Sequence, residues 1–258
     1  MEHLFEKPKQ LFEYRVFAQN RETSGYLCSY TWNELIDHRA SLFNIDSKYP
    51  RYLVKPEILT LLNNEKYLPR RLLLDLMWST GATVSEVLGL KRESFKRSGS
   101  VILKRLHSRA GRPTKAQQEM ISSRSISIKD SDLKDRIESY IIGNQIKHNQ
   151  RLFGVDRHTV NRHIHKLVER SGGSPFNITA ETFRHSFAVH LMLSGVPQTR
   201  IRKLLGLKKY HQIEKYERAI PEDVDDVLRG VLDNYQYLCL YLSESGRWRF
   251  LFTLVKLG

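Results

Sequence analysis

Glu181-Thr182-Phe183-Arg184-His185-Ser186-Phe187-Ala188, followed by Leu204-Leu205-Gly206 and then Tyr216, is the stretch on which the reading of this chain turns. An arginine sits at a His-flanked helix start, upstream of a tyrosine in a second helical segment. A guanidinium can grip an anionic oxygen and a phenol can act as a nucleophile, the two parts needed to hold and attack a phosphodiester. A tyrosine by itself is a packing residue. The Leu-Leu-Gly turn before Tyr216 and the arginine upstream single this one out.

The rest of the chain sets the bounds. Its 258 residues suffice for one large domain, or one domain with a small appendage, and 40% hydrophobic content provides a core. Lys and Arg number 42 against 28 Asp and Glu, a formal charge of +14. That excess suits a polyanion, with nucleic acid the usual one; the plainer alternative is a solvated basic surface. The two cysteines, Cys28 and Cys239, have no metal or redox spacing and point to a reducing cytoplasm. The start of the chain has no apolar signal-peptide core, and no apolar run approaches the roughly 20 residues of a membrane span.

Residues 1–50 are mixed and aromatic, with Thr31 and Glu34 spaced as a capping box. Lys55–Leu62 reads as a helix with proline in its first turn, and Arg70–Trp78 as another with Leu72, Leu73, Leu76 and Met77 on a buried stripe. Thr80-Gly81-Ala82 breaks it, and Ser85 is a plausible cap for a short helix beyond. Val101–Leu103 and Ser125–Ile128 read as strands joined by a long basic loop, His107–Ser123. Asp132–Ile142 and Arg157–Arg170 return to helix. Asp156 is placed to cap the second, which resembles the reading helix of a helix-turn-helix and offers Arg157, Arg162 and Lys166 to phosphates. His163 and His165, two apart on a helix, point in different directions and make no metal site. The expected architecture is a mainly α domain with a small antiparallel β-sheet.

From about Arg51 to Ala219 the chain resembles the catalytic domain of the tyrosine recombinases, the phage-integrase type of site-specific recombinase, and within that family the plasmid resolvases. Five landmarks occur in family order: Ser79-Thr80-Gly81-Ala82-Thr83-Val84-Ser85-Glu86, the basic hairpin, the Asp156 helix, Thr182-Phe183-Arg184-His185-Ser186, and Leu204-Leu205-Gly206 before Tyr216. The resemblance implies a nucleophilic Tyr216 that forms a phosphotyrosyl link to DNA and needs no cofactor. It implies two arginines on the nonbridging oxygens, a hairpin lysine that protonates the leaving 5′ oxygen, and histidines or a tryptophan that manage protons. Arg184, Tyr216 and the supporting acid Glu86 match this pattern. Thr83 stands where the first arginine belongs, Glu181 where a histidine belongs, and Leu207 where a histidine or tryptophan belongs. The hairpin lysine has three candidate positions, His107, Lys104 and Lys115. His211, four residues past Leu207, is a distant alternative imidazole.

Losing one such donor costs roughly 3–4 kcal/mol of transition-state stabilisation. The expectation is therefore DNA strand cleavage and rejoining with impaired activity, or a non-catalytic DNA-binding relative acting as a regulator or a decaying copy. A helix-turn-helix factor built on residues 151–170 is a third reading, opposed by the hairpin and the Arg184–Tyr216 pair. The expected organisation is a short N-terminal segment (1–50), a remnant of a DNA-binding arm; a catalytic domain (51–220); and a C-terminal helix with an apolar tail (221–258). Double-stranded DNA is the expected partner, contacted also by Arg109, Arg112 and Lys115, with self-association on DNA, in the bacterial cytoplasm or nucleoid. Thr83, Glu181, Arg184, Leu207 and Tyr216 should converge if they line one phosphate site.

Overall fold

The computed structural model describes residues 14–17, 27–104 and 123–221. The first described elements form a two-stranded antiparallel ribbon, β1 (Tyr14–Phe17) and β2 (Leu27–Tyr30), paired from Tyr14↔Tyr30 to Phe17↔Leu27. Helices α1 (Trp32–Ile45), α2 (Lys55–Asn64), α3 (Leu68–Thr80) and α4 (Val84–Leu88) follow. A second antiparallel hairpin joins β3 (Ser100–Lys104) to β4 (Ser123–Ser127), with Leu103 opposite Arg124. Helices α5 (Ser131–Gly143), α6 (Arg157–Arg170), α7 (Ala180–Leu193), α8 (Gln198–Leu205) and α9 (His211–Glu214) complete it. The mainly α domain with a small antiparallel sheet is thus what forms. The loop between the hairpin strands, the early aromatic residues up to Phe12 and the expected helix and tail after Pro221 lie outside the described residues.

Local sequence explains most of these boundaries. Thr31 and Glu34 form the capping box of α1: the Thr31 N–H donates to Glu34 Oε2 at 2.6 Å and the Glu34 N–H to Thr31 Oγ1 at 3.3 Å. Asp130 caps α5 through the Leu133 N–H at 3.2 Å, and Asp156 caps α6 through the Thr159 N–H at 2.7 Å. Pro56 and Pro69 sit in the first turns of α2 and α3, where no intrahelical N–H is lost. The cap of α4 differs from the expectation. Thr83 holds that place, and Ser85 is an exposed residue inside the helix. The reason is reciprocity: Glu86 lies three residues after Thr83 and can return the bond, whereas Ser85 has no such partner.

Helix α7 is the spine. Ten of its 14 residues are buried, so it is covered on nearly every side. Ala180 and Phe183 enter one core with α2–α6 and the hairpin; Phe187, Ala188, Val189, Met192 and Leu193 enter another with α1, α8, α9 and Tyr216. The family-like segment beginning at residue 51 and the stretch before it therefore share a core: Trp32, Leu35, Leu42 and Tyr49 pack in the same cluster as Tyr216. Arg39 of α1 reinforces this join through a buried bidentate ion pair with Glu57 of α2.

The helix-turn-helix reading of residues 151–170 is not what the fold builds. Helix α6 is separated from α5 by the whole of Asn144–Asp156, far longer than the turn of roughly 3–4 residues such a motif needs. Its Val160, Ile164, Leu167 and Val168 are spent on the first core.

Gly81 ends α3 with φ 60°, and a Cβ there would lie 2.3 Å from Phe187 Cδ1. Gly206 ends α8 with φ 65°, but its nearest contact is the end of the Arg124 side chain at 3.2 Å. Gly81→Ala is expected to lose about 2–4 kcal/mol, combining left-handed strain with overpacking. Gly206→Ala should lose about 1–2 kcal/mol from the backbone term. Urea denaturation of the two variants checks the order.

Candidate active site

Arg184, in the second turn of α7, is buried to 6% exposure between two helix ends. Its Nη1 donates to Gly81 O and its Nη2 to Leu205 O, both at 2.7 Å. These carbonyls close α3 and α8, where the last acceptors of a helix lack intrahelical donors and the dipole is negative. Glu86 Oε2 lies 3.9 Å from Arg184 Nη1. One guanidinium therefore draws together the turn after α3, the turn after α8 and the acid of α4.

Glu86 is the other hub. Its carboxylate accepts from the Thr83 N–H at 2.8 Å, from Thr83 Oγ1 at 3.1 Å and from Arg124 Nη2 at 2.9 Å, and it pairs with Arg124 Nη1. Burial alone would raise the Glu86 carboxyl; the bonds and charge of Arg124, with Thr83 and Arg184, hold it below its usual range. The Thr83 hydroxyl is thereby committed to Glu86 as a cap rather than offered to an outside anion.

Tyr216 lies just past α9, at the entry to a 3₁₀ turn over Glu217–Ala219, and is 3% exposed. Its hydroxyl is 2.7 Å from His185 Nδ1. With the His185 proton on Nε2, the phenol donates and the imidazole accepts. Burial, countered in part by Arg184, pushes the Tyr216 phenol above its ordinary value. Burial, with Lys215 and Arg184 nearby, pushes His185 down to about 3. The pair is neutral at physiological pH, a phenol resting on a free base. Lys215 Nζ stands 4.8 Å from the Tyr216 ring centroid.

Glu181, Arg184 and Tyr216 converge with Thr83 and Glu86. Glu181 is exposed in the first turn of α7, and its charge acts on Arg184, Lys215 and Tyr216. Leu207 stands at the edge, half-buried against the second core, its N–H bonded to Arg202 O at 3.0 Å; it brings no side-chain donor. His211 is exposed on α9. Lys104 is exposed at the end of β3, and strand alternation puts it on the opposite side of the hairpin from Leu103 and Arg124. His107, Arg109, Arg112 and Lys115 lie outside the described residues. On α6, Arg162 and Lys166 are exposed one turn apart, whereas Arg157, nine residues from Lys166, falls about 180° round the helix. The three do not share a face.

The residues that sequence reasoning missed are Arg124 and His185. Arg124 carried a signal: it shares strand parity with the inward Ile126 and Ile128, and a charge on a buried stripe calls for a partner. His185 was seen only as a flank. Its role needs the fold, because Tyr216 is 31 positions away. Among the described residues no group of three or more His, Cys, Asp or Glu is placed to hold a metal ion, and no helix is long and apolar enough to cross a membrane.

Comparison with known proteins gives the family and the fold. The profile of the phage integrase family matches residues 51–222, about two-thirds of the chain, and the protein belongs to that family, the tyrosine recombinases. A resolvase of Escherichia coli is 29% identical over 205 residues, covering 70% of this chain and 78% of the relative. A probable site-specific recombinase in the afa region of Escherichia coli is 28% identical over 187 residues, 68% of this chain and 73% of the relative. Among solved structures, the Tn1549 transposon integrase in complex with circular intermediate DNA superposes with a TM-score of 0.58 at 15% identity, covering 79% of this chain and 78% of the other. The XerH site-specific recombinase in its post-cleavage complex superposes with a TM-score of 0.54 at 19% identity and 66% coverage of this chain, which spans about half of that structure's length. The last two establish the fold.

The neutral His185 carries a stability consequence. Below the ordinary imidazole value near 6.5 the unfolded chain binds a proton that the folded chain refuses, so stability falls as pH drops from about 6.5 toward 3. His190, pushed down to about 4 mainly by burial, acts in the same direction. Replacing His185 with Asn should reduce the loss of stability between pH 7 and pH 5 by about 1–2 kcal/mol. Denaturant midpoints at the two pH values measure it.

Proposed function

We propose that this protein binds duplex DNA and cleaves and rejoins a strand at Tyr216, slowly. The observation that carries the reading is the Tyr216 hydroxyl held 2.7 Å from a neutral imidazole nitrogen, on the residue next to the buried Arg184. In the cleavage step Tyr216 Oη forms a bond to phosphorus while the bond from phosphorus to the 5′ oxygen breaks. The phenolic proton passes to His185 Nδ1, and the leaving 5′ oxygen takes a proton from a general acid, for which His107 and Lys115 are the hairpin candidates. Lys104 would have to reach round from the far face. The phosphotyrosyl link keeps the bond energy, so attack by a 5′ hydroxyl reverses the step with no cofactor.

The slowness has named causes. Thr83 spends its hydroxyl on Glu86, Glu181 adds negative charge where the phosphate would gather it, and Leu207 offers nothing. The buried phenol also resists ionisation. Duplex DNA as partner is supported by the net charge of +14, by the exposed Arg162–Lys166 face, and by family neighbours such as the Tn1549 integrase that bind DNA. Self-association on DNA and action in the bacterial cytoplasm or nucleoid belong to the same proposal. A DNA-binding relative that does not cut is the second reading, favoured by the deep burial of Tyr216.

A nicked suicide duplex taken from the DNA flanking the gene tests this. A slowly accumulating covalent adduct that disappears in Tyr216→Phe is expected, as is a rise of about 10-fold or more in Glu181→His, which puts a second imidazole beside the phosphate. Tight binding without any adduct would leave the regulator reading. The binding itself should weaken steeply with salt, and Arg162→Ala with Lys166→Ala should flatten the log–log slope by about 1–2.

A further inference from the structure

We infer that Arg124, on the second strand of the hairpin, is a phosphate-gripping arginine of this site, supplying from β4 the charge that Thr83 lacks. The inference rests on the cleavage reading above and goes beyond it by assigning a second arginine to the phosphate.

Charge comes first. Arg124 and Arg184 face one buried carboxylate, Glu86, which lies 3.9 Å from Arg184 and is bidentate with Arg124. With Glu181 and Lys215, whose charges also act at this site, three cations stand against two carboxylates and leave one positive charge around a pocket where Glu86 is 4% exposed and the Arg124 side chain 12%. A structural ion pair needs only one arginine. The surplus fits a phosphodiester, which carries a single negative charge.

Donor capacity points the same way. A guanidinium has five N–H donors. Arg124 gives Nη1 and Nη2 to Glu86, and its Nε is buried with no hydrogen-bond partner among the described residues. An orphaned buried donor is costly unless something supplies an acceptor. Glu86 fixes the fork in a plane, both of its carboxylate oxygens paired with Arg124.

A Cβ on Gly206 would lie 3.2 Å from Arg124 Nη1, so the absence of a side chain there lets the guanidinium lie against the turn after α8. The same turn supplies Leu205 O to Arg184. Both arginines thus reach one turn from different elements, and Tyr216, on the segment that follows it, feels the Arg184 charge.

The test compares two suicide duplexes, one with a phosphodiester at the scissile position and one with an uncharged methylphosphonate. Arg124→Ala and Arg124→Lys are each measured against the unmodified protein. On the phosphodiester, Arg124→Ala should form adduct about 10²–10³-fold more slowly, the loss typical of a removed transition-state donor, with Arg124→Lys between. On the methylphosphonate, with no charge to neutralise, the deficit of both variants should shrink to under about 10-fold. Adding Thr83→Arg to Arg124→Ala should recover phosphodiester cleavage. An equal deficit on both substrates, or none on either, would overturn the inference while leaving the cleavage reading intact. Should Arg124→Ala fail to fold because Glu86 is stranded, Arg124→Lys decides by the same comparison. If the unmodified protein forms no adduct with either duplex, the cleavage reading itself fails and the role assigned to Arg124 falls with it.

Discussion

The buried guanidinium of Arg184 is the constraint on which the rest of the site depends. It spans Gly81 O and Leu205 O, the terminal acceptors of two helices from opposite halves of the domain. Without a cation there, two buried carbonyls would face each other unpaired, and the turns after α3 and α8 would have no reason to meet. The left-handed backbone at Gly81 and Gly206 makes both turns tight enough to be bridged by one side chain. Helix α7 can deliver that side chain because it is the helix shared by the two cores.

Around this clip the electrostatics divide. On the side of α4 and the hairpin, Glu86, Arg124 and Thr83 form a polar cluster that pins the hairpin to the first core and leaves only Arg124 Nε without a partner among its own members. On the side of α9, burial keeps both His185 and Tyr216 uncharged. The same desolvation that disfavours a phenolate makes the imidazole a poor proton binder, so the pair rests as neutral donor and acceptor. A bound anion would alter that balance through its own charge as well as through exclusion of water.

The segment carrying Tyr216 is held from behind by α1. His38 Nε2 is 2.9 Å from Arg218 O, Arg218 reaches Asp46 at 3.2 Å, and the Tyr30 hydroxyl donates to Pro221 O at 2.7 Å. These contacts tie the residues just after the tyrosine to β2, to α1 and to Asp46 at the end of α1, all before the family-matched region. Trp32, Leu35 and Tyr49 in the same core give the tie an apolar base. Residues 30–49 therefore act as a brace for the nucleophile, whatever the history of the segment.

What the amino-acid order determined by itself was the set of local elements and their family. Caps such as Thr31 and Asp156 act within three residues, and apolar periodicity acts within one helix, so both can be read without a fold. The landmarks from Gly81 to Tyr216 could likewise be matched in order. The exchange at the heart of the site could not. Thr83 read as a lost arginine, but only tertiary structure turns it into the cap that holds Glu86, and sets Arg124, 38 positions further on, against that carboxylate. Lys104 and Arg124 look equally basic in sequence, yet strand alternation sends one outward and the other into the site. His185 and Tyr216 become partners because α7 and α9 pack on one core. Such pairings join positions that share no local period, and only burial, by making an unpartnered charge or hydroxyl costly, selects which of many candidates meet.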